Sequence, residues 1–200
     1  NVTSITNQST LNVDGGGNNA IGDTAVINNT GTFILTGSDE TIGAIYGSGN
    51  INLNDNALTT GNADNAEISG VVSGTGDLVK QGAGTLTLSG ANTATGTLTN
   101  NAGAVVVSGT WAGDVDNNAV FDLTGTSTVN GTFNNNATGS VTNSGGVAAI
   151  LTGLTDFIAD GAIGDAAGSI TVNTQNLTYR DNHAETGTVT FNVADTITEE

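Results

Sequence analysis

Residues 96–137 read GTLTNNAGAVVVSGTWAGDVDNNAVFDLTGTSTVNGTFNNNA. The tripeptide Asn-Asn-Ala occurs there three times, at Asn100-Asn101-Ala102, Asn117-Asn118-Ala119 and Asn135-Asn136-Ala137, at spacings of 17 and 18 residues. A second marker, Gly-Thr followed by a large apolar residue, occurs at Gly96-Thr97-Leu98, Gly109-Thr110-Trp111 and Gly131-Thr132-Phe133. Two recurring markers predict a coil of chain that closes on itself and stacks on its neighbours. About 17 residues at about 3.3 Å each give a path of roughly 56 Å, enough for three sides of about four or five residues with bends at Gly and Asn. Parallel, in-register stacking puts like residues above like. Inward Val, Ile, Leu and Phe then form apolar columns, and buried turn asparagines form amide ladders along the axis. The Asn-Asn-Ala turns are the expected ladders.

The flanking sequence agrees. Thr, Asn, Gly, Ser and Asp disfavour helix by stiffening the first side-chain torsion or by competing for backbone hydrogen bonds. Period-two alternation remains: Leu11 and Val13, Ile51 and Leu53, Leu86 and Leu88, and Val189, Phe191 and Val193 each alternate with polar residues, as strands with one apolar face do. Clusters such as Asn28-Asn29, Gly82-Ala83-Gly84 and Asn134-Asn135-Asn136 mark the turns between them. The chain has no proline, consistent with every coil needing its backbone donors for the next. The expected fold is therefore all-β: a parallel β-helix, or β-solenoid, with a small C-terminal β cap or docking element. Residues 1–146 hold about eight coils, a rod of about 40 Å at about 4.8 Å per coil. Residues 147–200 form the capping or docking segment. Within it Leu151, Leu154, Phe157 and Ile158 have near-helical spacing, which suggests a short helix or cap. Strands at Ser169 to Tyr179 and Thr186 to Val193 follow, separated by Arg180-Asp181-Asn182-His183.

One stretch carries more than composition. Within Ile68 to Ser108, the core GTGDLVKQGAGTLTLSGANT (residues 74–93) resembles the autotransporter-associated β-strand repeat of outer-membrane autotransporter passenger domains and related bacterial surface adhesins. Lys80, the turn Gly82-Ala83-Gly84 and the strand Thr85 to Gly90 fall in family order. Thr41 to Leu53, TIGAIYGSGNINL, resembles a weaker second copy. The family usually has an aromatic where this chain has Ala94, and nothing here resembles the C-terminal translocating barrel. The resemblance implies a right-handed β-helix on the bacterial cell surface, extracellular, with no catalytic residue.

Charge narrows the function further. Thr, Gly, Asn and Ser supply 103 of 200 positions, Lys and Arg two, Asp and Glu nineteen, for a net charge of −17. Only Lys80 and Arg180 could neutralise a phosphate, which excludes nucleic acid and a polybasic membrane anchor. The absence of Cys removes disulfides, thiol nucleophiles and thiolate metal sites. The absence of Met, with Asn at position 1, suggests a removed leader or a segment of a longer chain. No apolar run approaches the roughly 20 residues of a transmembrane helix, so no membrane insertion by this segment is expected.

Candidate chemistry is sparse. His183 lies near Asp181 and Glu185, a grouping compatible with general-base or metal chemistry but more often a solvated loop. No nucleophile elbow and no P-loop is present. Gly15-Gly16-Gly17-Asn18-Asn19-Ala20 fits Gly-x-Gly-x-x-Ala, as chance allows in a chain with 30 glycines. Polysaccharide lyases need clustered cations. A polygalacturonase-like site would need an Asp-Asp pair and Gly-His-Gly, and the sequence has neither. Asp114, Asp116 and Asn118 alternate like calcium-loop ligands, but Ala119 and Gly125 stand where that loop needs Gly and Glu. Asn-x-Ser/Thr sequons, as at Asn7, Asn28 and Asn176, follow from composition. Trp111 and Tyr179 suit ladder or cap roles better than a sugar platform. No catalytic, cofactor-binding or metal-ligating residue is assigned, and no enzyme activity or cofactor is expected.

The reading is a non-catalytic extracellular structural or adhesive scaffold or stalk, its partner a host or surface receptor or another copy of itself. The alternative is a filament or surface-lattice subunit joined head-to-tail through Val2 to Val13 or Thr186 to Val193, since open strand ends invite pairing.

Overall fold

The computed structural model describes residues 2–14 and 20–200, with side chains described except at 165–167. Among these residues there is no helix, and every strand pairing is parallel. The chain winds as a β-solenoid of about 9 turns with three faces visited in a fixed order. The first face begins with Ser4–Asn7, Val26–Asn29 and Ala44–Tyr46, and continues through Ala66–Ile68, Thr85–Leu88, Ala104–Val107, Val120–Asp122 and Ser140–Thr142. The second carries Thr10–Val13, Thr32–Leu35, Asn50–Asn52 and Val72–Ser73, then Thr110–Trp111 and Thr126–Val129. The third carries Glu40–Ile42, Leu58–Thr60, Leu78–Lys80, Leu98–Asn100, Val115–Asn117 and Thr132–Asn135.

In-register stacking produces the columns expected of it. Leu58, Leu78, Leu98, Val115, Phe133, Phe157 and Leu177 lie one above another on the third face, each at most 1% exposed. Full burial of each such side chain contributes about 1.5–3 kcal/mol. On the first face, Leu86, Val105, Phe121, Val141 and Ile163 form the matching column. Phe121 meets Phe133 edge-on at 4.8 Å between ring centres, and Phe133 stacks on Phe157 at 5.3 Å.

Coil length varies more than the sequence markers suggest. Leu98, Val115 and Phe133 keep the 17- and 18-residue spacing, but Leu58, Leu78 and Leu98 are 20 apart and Phe133 lies opposite Phe157, 24 residues on. The corners absorb the difference. The Gly-Thr-apolar marker is corrected accordingly: Leu98 and Phe133 are on the third face, whereas Trp111 pairs with Val129 on the second. Within Thr41 to Leu53, Ile51 stacks with Phe33 and Val72 on the second face, while Leu78 of the stretch it resembles lies on the third.

Beyond Gly146 the strands lengthen to Ala149–Ala159, Ala162–Tyr179 and Ala184–Glu199, each interrupted by a positive-φ glycine, Gly153, Gly164 and Gly187. The helix suggested for Leu151, Leu154, Phe157 and Ile158 does not form. Those residues belong to Ala149–Ala159, where a register shift between Leu151 and Leu154 surrounds Gly153 at φ 88°. The kink shifts the alternation between Leu151 and Leu154 and a second change of phase follows before Phe157, so all three point inward at a spacing that imitates a helix, and Ile158 does not.

A column of glycines also runs up one corner: Gly31, Gly49, Gly70, Gly90 and Gly109. A Cβ on Gly49, Gly70, Gly90 or Gly109 would fall well inside van der Waals distance of the carbonyl oxygen of the glycine beneath. The coils approach this closely only where the side chain is absent. Gly90→Ala is therefore expected to cost about 1–3 kcal/mol through overpacking. Gly125→Ala, with nothing within 4 Å of the added carbon, should stay within about 0.5 kcal/mol of the parent. Urea denaturation of the two variants checks both values.

Candidate functional site

The stretch around Lys80 is where a charged side chain enters the core. Lys80 occupies the inward end of its third-face strand, in register with Thr60 on one side and Asn100 on the other. It is 2% exposed. A buried ammonium needs an acceptor for each of its three protons, and three carbonyls supply them: Gln81 at 2.6 Å, Gly82 at 2.8 Å and Ala102, from the next coil, at 3.0 Å. Two come from the corner following Lys80 itself, which bends back through Gly82 at φ 73°. Burial holds the Lys80 amine below the ordinary lysine range.

Above Lys80 the same column becomes asparagine. Asn100 Nδ2 donates to Asn117 Oδ1 and Asn117 Nδ2 to Asn135 Oδ1, both at 2.9 Å and both buried. These amides also donate to the Val120, Ser140 and Ala162 carbonyls at corners of later coils. The second asparagine of each Asn-Asn-Ala forms an outer ladder of opposite polarity: Asn118 Nδ2 donates to Asn101 Oδ1 at 3.2 Å and Asn136 Nδ2 to Asn118 Oδ1 at 2.8 Å. The two rows of amide dipoles therefore oppose each other. A shorter ladder joins Asn7 to Asn29 at 2.8 Å at another corner.

Carboxylates follow a different rule. Asp39, Asp77 and Asp114 lie just before third-face strands, and each accepts a backbone N–H one coil further on, from Ala57, Thr97 and Thr132 at 2.7, 2.7 and 2.8 Å. Acidic residues thus alternate with neutral ones, which keeps stacked charges about 10 Å apart, near the Debye length in physiological salt. The buried Glu40 stands at the foot of the third-face apolar column and accepts the N–H groups of Ala20 and Ile21 at 2.8 and 3.0 Å. Sequence reasoning missed this use of acids, although the spacing of Asp39, Asp77 and Asp114 carries a signal at twice the coil length.

The residues weighed from sequence do not form one centre. Asp114 accepts Thr132 N–H, Asp116 accepts the Asn134 amide at 3.2 Å, and Asn118 belongs to the outer ladder. Among the described residues no group of three or more His, Asp and Glu side chains is placed to hold a metal. Trp111 is fully buried and donates its indole N–H to the Asp114 carbonyl at 3.1 Å. His183 Nε2 lies 3.1 Å from Glu185 Oε1, its ring packed against Tyr179 and Phe191; Asp181 is not a partner of that ring. Burial, then the Glu185 charge, raises the Tyr179 phenol above its ordinary pKa. Arg180 makes an exposed ion pair with Glu200 at 3.3 Å, a contact of small energetic weight. The glycine-rich pattern at Gly15 to Asn19 lies outside the described residues.

A chain whose Lys80, Gly82 and amide corners lock one coil to the next can be compared with known repeats. Residues 78–107 match the passenger-associated-transport-repeat family. The family is a repeat of autotransporter passengers, as the sequence resemblance indicated, and it implies a secreted or cell-surface protein. The matched span runs from the third-face strand that ends at Lys80 to the first-face strand Ala104–Val107 and so contains the whole ammonium cage. No curated protein and no solved structure matches the chain.

Lys80→Met is expected to lower stability by about 3 kcal/mol, because three inward carbonyls lose their donor. The folded state holds the Lys80 proton less tightly than the unfolded chain does. Parent stability should therefore rise relative to Lys80→Met as pH climbs from the depressed folded value through the ordinary lysine range, and fall back as pH drops through the folded value. Urea midpoints of both proteins across neutral and alkaline pH measure this. Thr97→Asp would put a carboxylate between Asp77 and Asp114 and should cost roughly 1 kcal/mol at low ionic strength. Thermal melts should show most of that loss recovered in about 1 M salt.

Proposed function

We propose that this chain is a non-catalytic extracellular scaffold of the autotransporter-passenger kind, which extends or presents an adhesive surface. One observation carries the reading: the polar side chains that could do chemistry, Lys80, the Asn-Asn-Ala amides, Asp77 and Asp114, are bonded from coil to coil. The passenger-repeat match supports placement at the cell surface. The net charge of −17 opposes nucleic acid and favours a partner that tolerates an acidic face. The scaffold needs no cofactor.

A second reading, a filament or surface-lattice subunit joined head-to-tail, has its own support. Ala184–Glu199 pairs in parallel with Ala162–Tyr179, and the other edge of a strand of that length can pair with a further strand, whether from the same chain or from a second copy.

Sedimentation and negative-stain microscopy across concentration, with a panel of polysaccharide hydrolase and lyase assays, test both. The scaffold reading expects short rods that do not grow with concentration and no turnover. Fibres of uniform width would make assembly the function. Turnover abolished by substitution of a single Asp would overturn the non-catalytic reading.

A further inference from the structure

Between two strands of the first face the ladder narrows. Ala44–Tyr46 and Ala66–Ile68 share no run of in-register partners, and a single bridge just past Tyr46, Gly47 to Ile68, links them, whereas the strand pairs on either side share such runs. The corners that lead into the two strands differ in length. Only Gly43 separates Ile42 from Ala44, but residues 61–65 separate Thr60 from Ala66 one coil later. Over that bridge, which the Gly47 N–H holds by donating to the Glu67 carbonyl at 2.8 Å and the Ser69 N–H by donating to the Gly47 carbonyl at 3.0 Å, lies a surface recess of about 300 Å³ lined by Tyr46, Ser48, Asn65, Glu67 and Ser69.

Tyr46, 40% exposed, is the aromatic side chain most open to solvent among the described residues; Trp111 and Phe33, Phe121, Phe133 and Phe157 are fully buried. The polar groups beside it are each held by one bond and keep another atom free. Asn65 Oδ1 accepts the Thr85 N–H at 2.8 Å, leaving Nδ2. Glu67 Oε1 accepts the Ser89 hydroxyl at 2.8 Å, leaving Oε2. One aromatic face thus lies beside a fixed amide donor, a fixed carboxylate acceptor and the Ser48 hydroxyl.

We propose that this recess binds a neutral saccharide. The tyrosine ring offers an apolar platform for the C–H face of a pyranose, and adjacent hydroxyls need both the donor and the acceptor that Asn65 and Glu67 provide. An acidic sugar would meet Glu67 and the net negative charge. A cationic ligand would use the ring and Glu67 but would leave the Asn65 donor facing a positive charge. The proposal rests on the reading of the chain as a surface-presenting scaffold and supplies the ligand class for it.

Saturation-transfer NMR on the full chain, with lactose, cellotriose, chitotriose and mannobiose as probes and trigalacturonate and trilysine as contrasts, tests it. Transfer to at least one neutral probe is expected. Tyr46→Ala should weaken that binding by about five-fold or more through loss of the platform, with an unchanged circular dichroism melt because the ring is exposed. Absence of transfer to all four neutral probes, equal binding by Tyr46→Ala, or binding of trilysine or trigalacturonate alone would overturn the site. None of these outcomes alters the particle shape or turnover assays that decide the scaffold reading.

Discussion

A residue in this solenoid lies about 4.8 Å from its counterparts in the coils on either side, and that spacing decides which side chains a column can hold. Apolar groups gain from being stacked, as Leu58, Leu78 and Leu98 do. Amides gain as well, since each is both donor and acceptor, and the Asn100–Asn117–Asn135 row uses both functions. Glycines gain a closer approach. Like charges lose, and the chain answers with Asp39, Asp77 and Asp114 on alternate coils, each bonded to a neutral residue's N–H.

The fold class was legible because its cause is periodic. Alternating apolar residues and the Asn-Asn-Ala recurrence report strands and coil period directly, and the amide ladders fall at the expected asparagines. Two other inferences failed, each for a reason of its own. The three faces use one local grammar, glycine followed by alternating apolar residues, so Gly109-Thr110-Trp111 resembles Gly96-Thr97-Leu98 while lying on another face. Near-helical spacing at Leu151, Leu154 and Phe157 came from a positive-φ glycine between the first two and a further change of phase before the third. A single glycine whose φ is unknown makes a kinked strand and an amphipathic helix look alike.

The candidate site was less legible because it depends on which outward residues register brings together from separate coils, which no motif encodes. Nothing in the local sequence of Tyr46 distinguishes it from an inward aromatic such as Phe33. It is outward because of its register, and it lies beside a recess that Asn65, from the corner at residues 61–65, also lines. Lys80 is the converse case. A lone lysine in an acidic chain reads as a solvated charge, yet register puts it inside, and the glycine corner that follows is what makes burial possible.

The irregular rungs also settle a problem that regular ones create. A stack of identical coils has several pairings of nearly equal energy, because slipping by one whole coil places leucine on leucine and asparagine on asparagine again. Lys80 removes that degeneracy. Its ammonium is satisfied by its own corner together with the Ala102 carbonyl, and a slip that took away the neighbouring coil's carbonyl would leave one N–H of a buried charge unpaired. Glu40 does the same lower in the stack, because its two donors, Ala20 and Ile21, come from one particular earlier turn. The alternating aspartates add a weaker version, since a one-coil slip would stack carboxylate on carboxylate. The apolar and amide columns make the solenoid stable in many registers, and the charged exceptions select one of them.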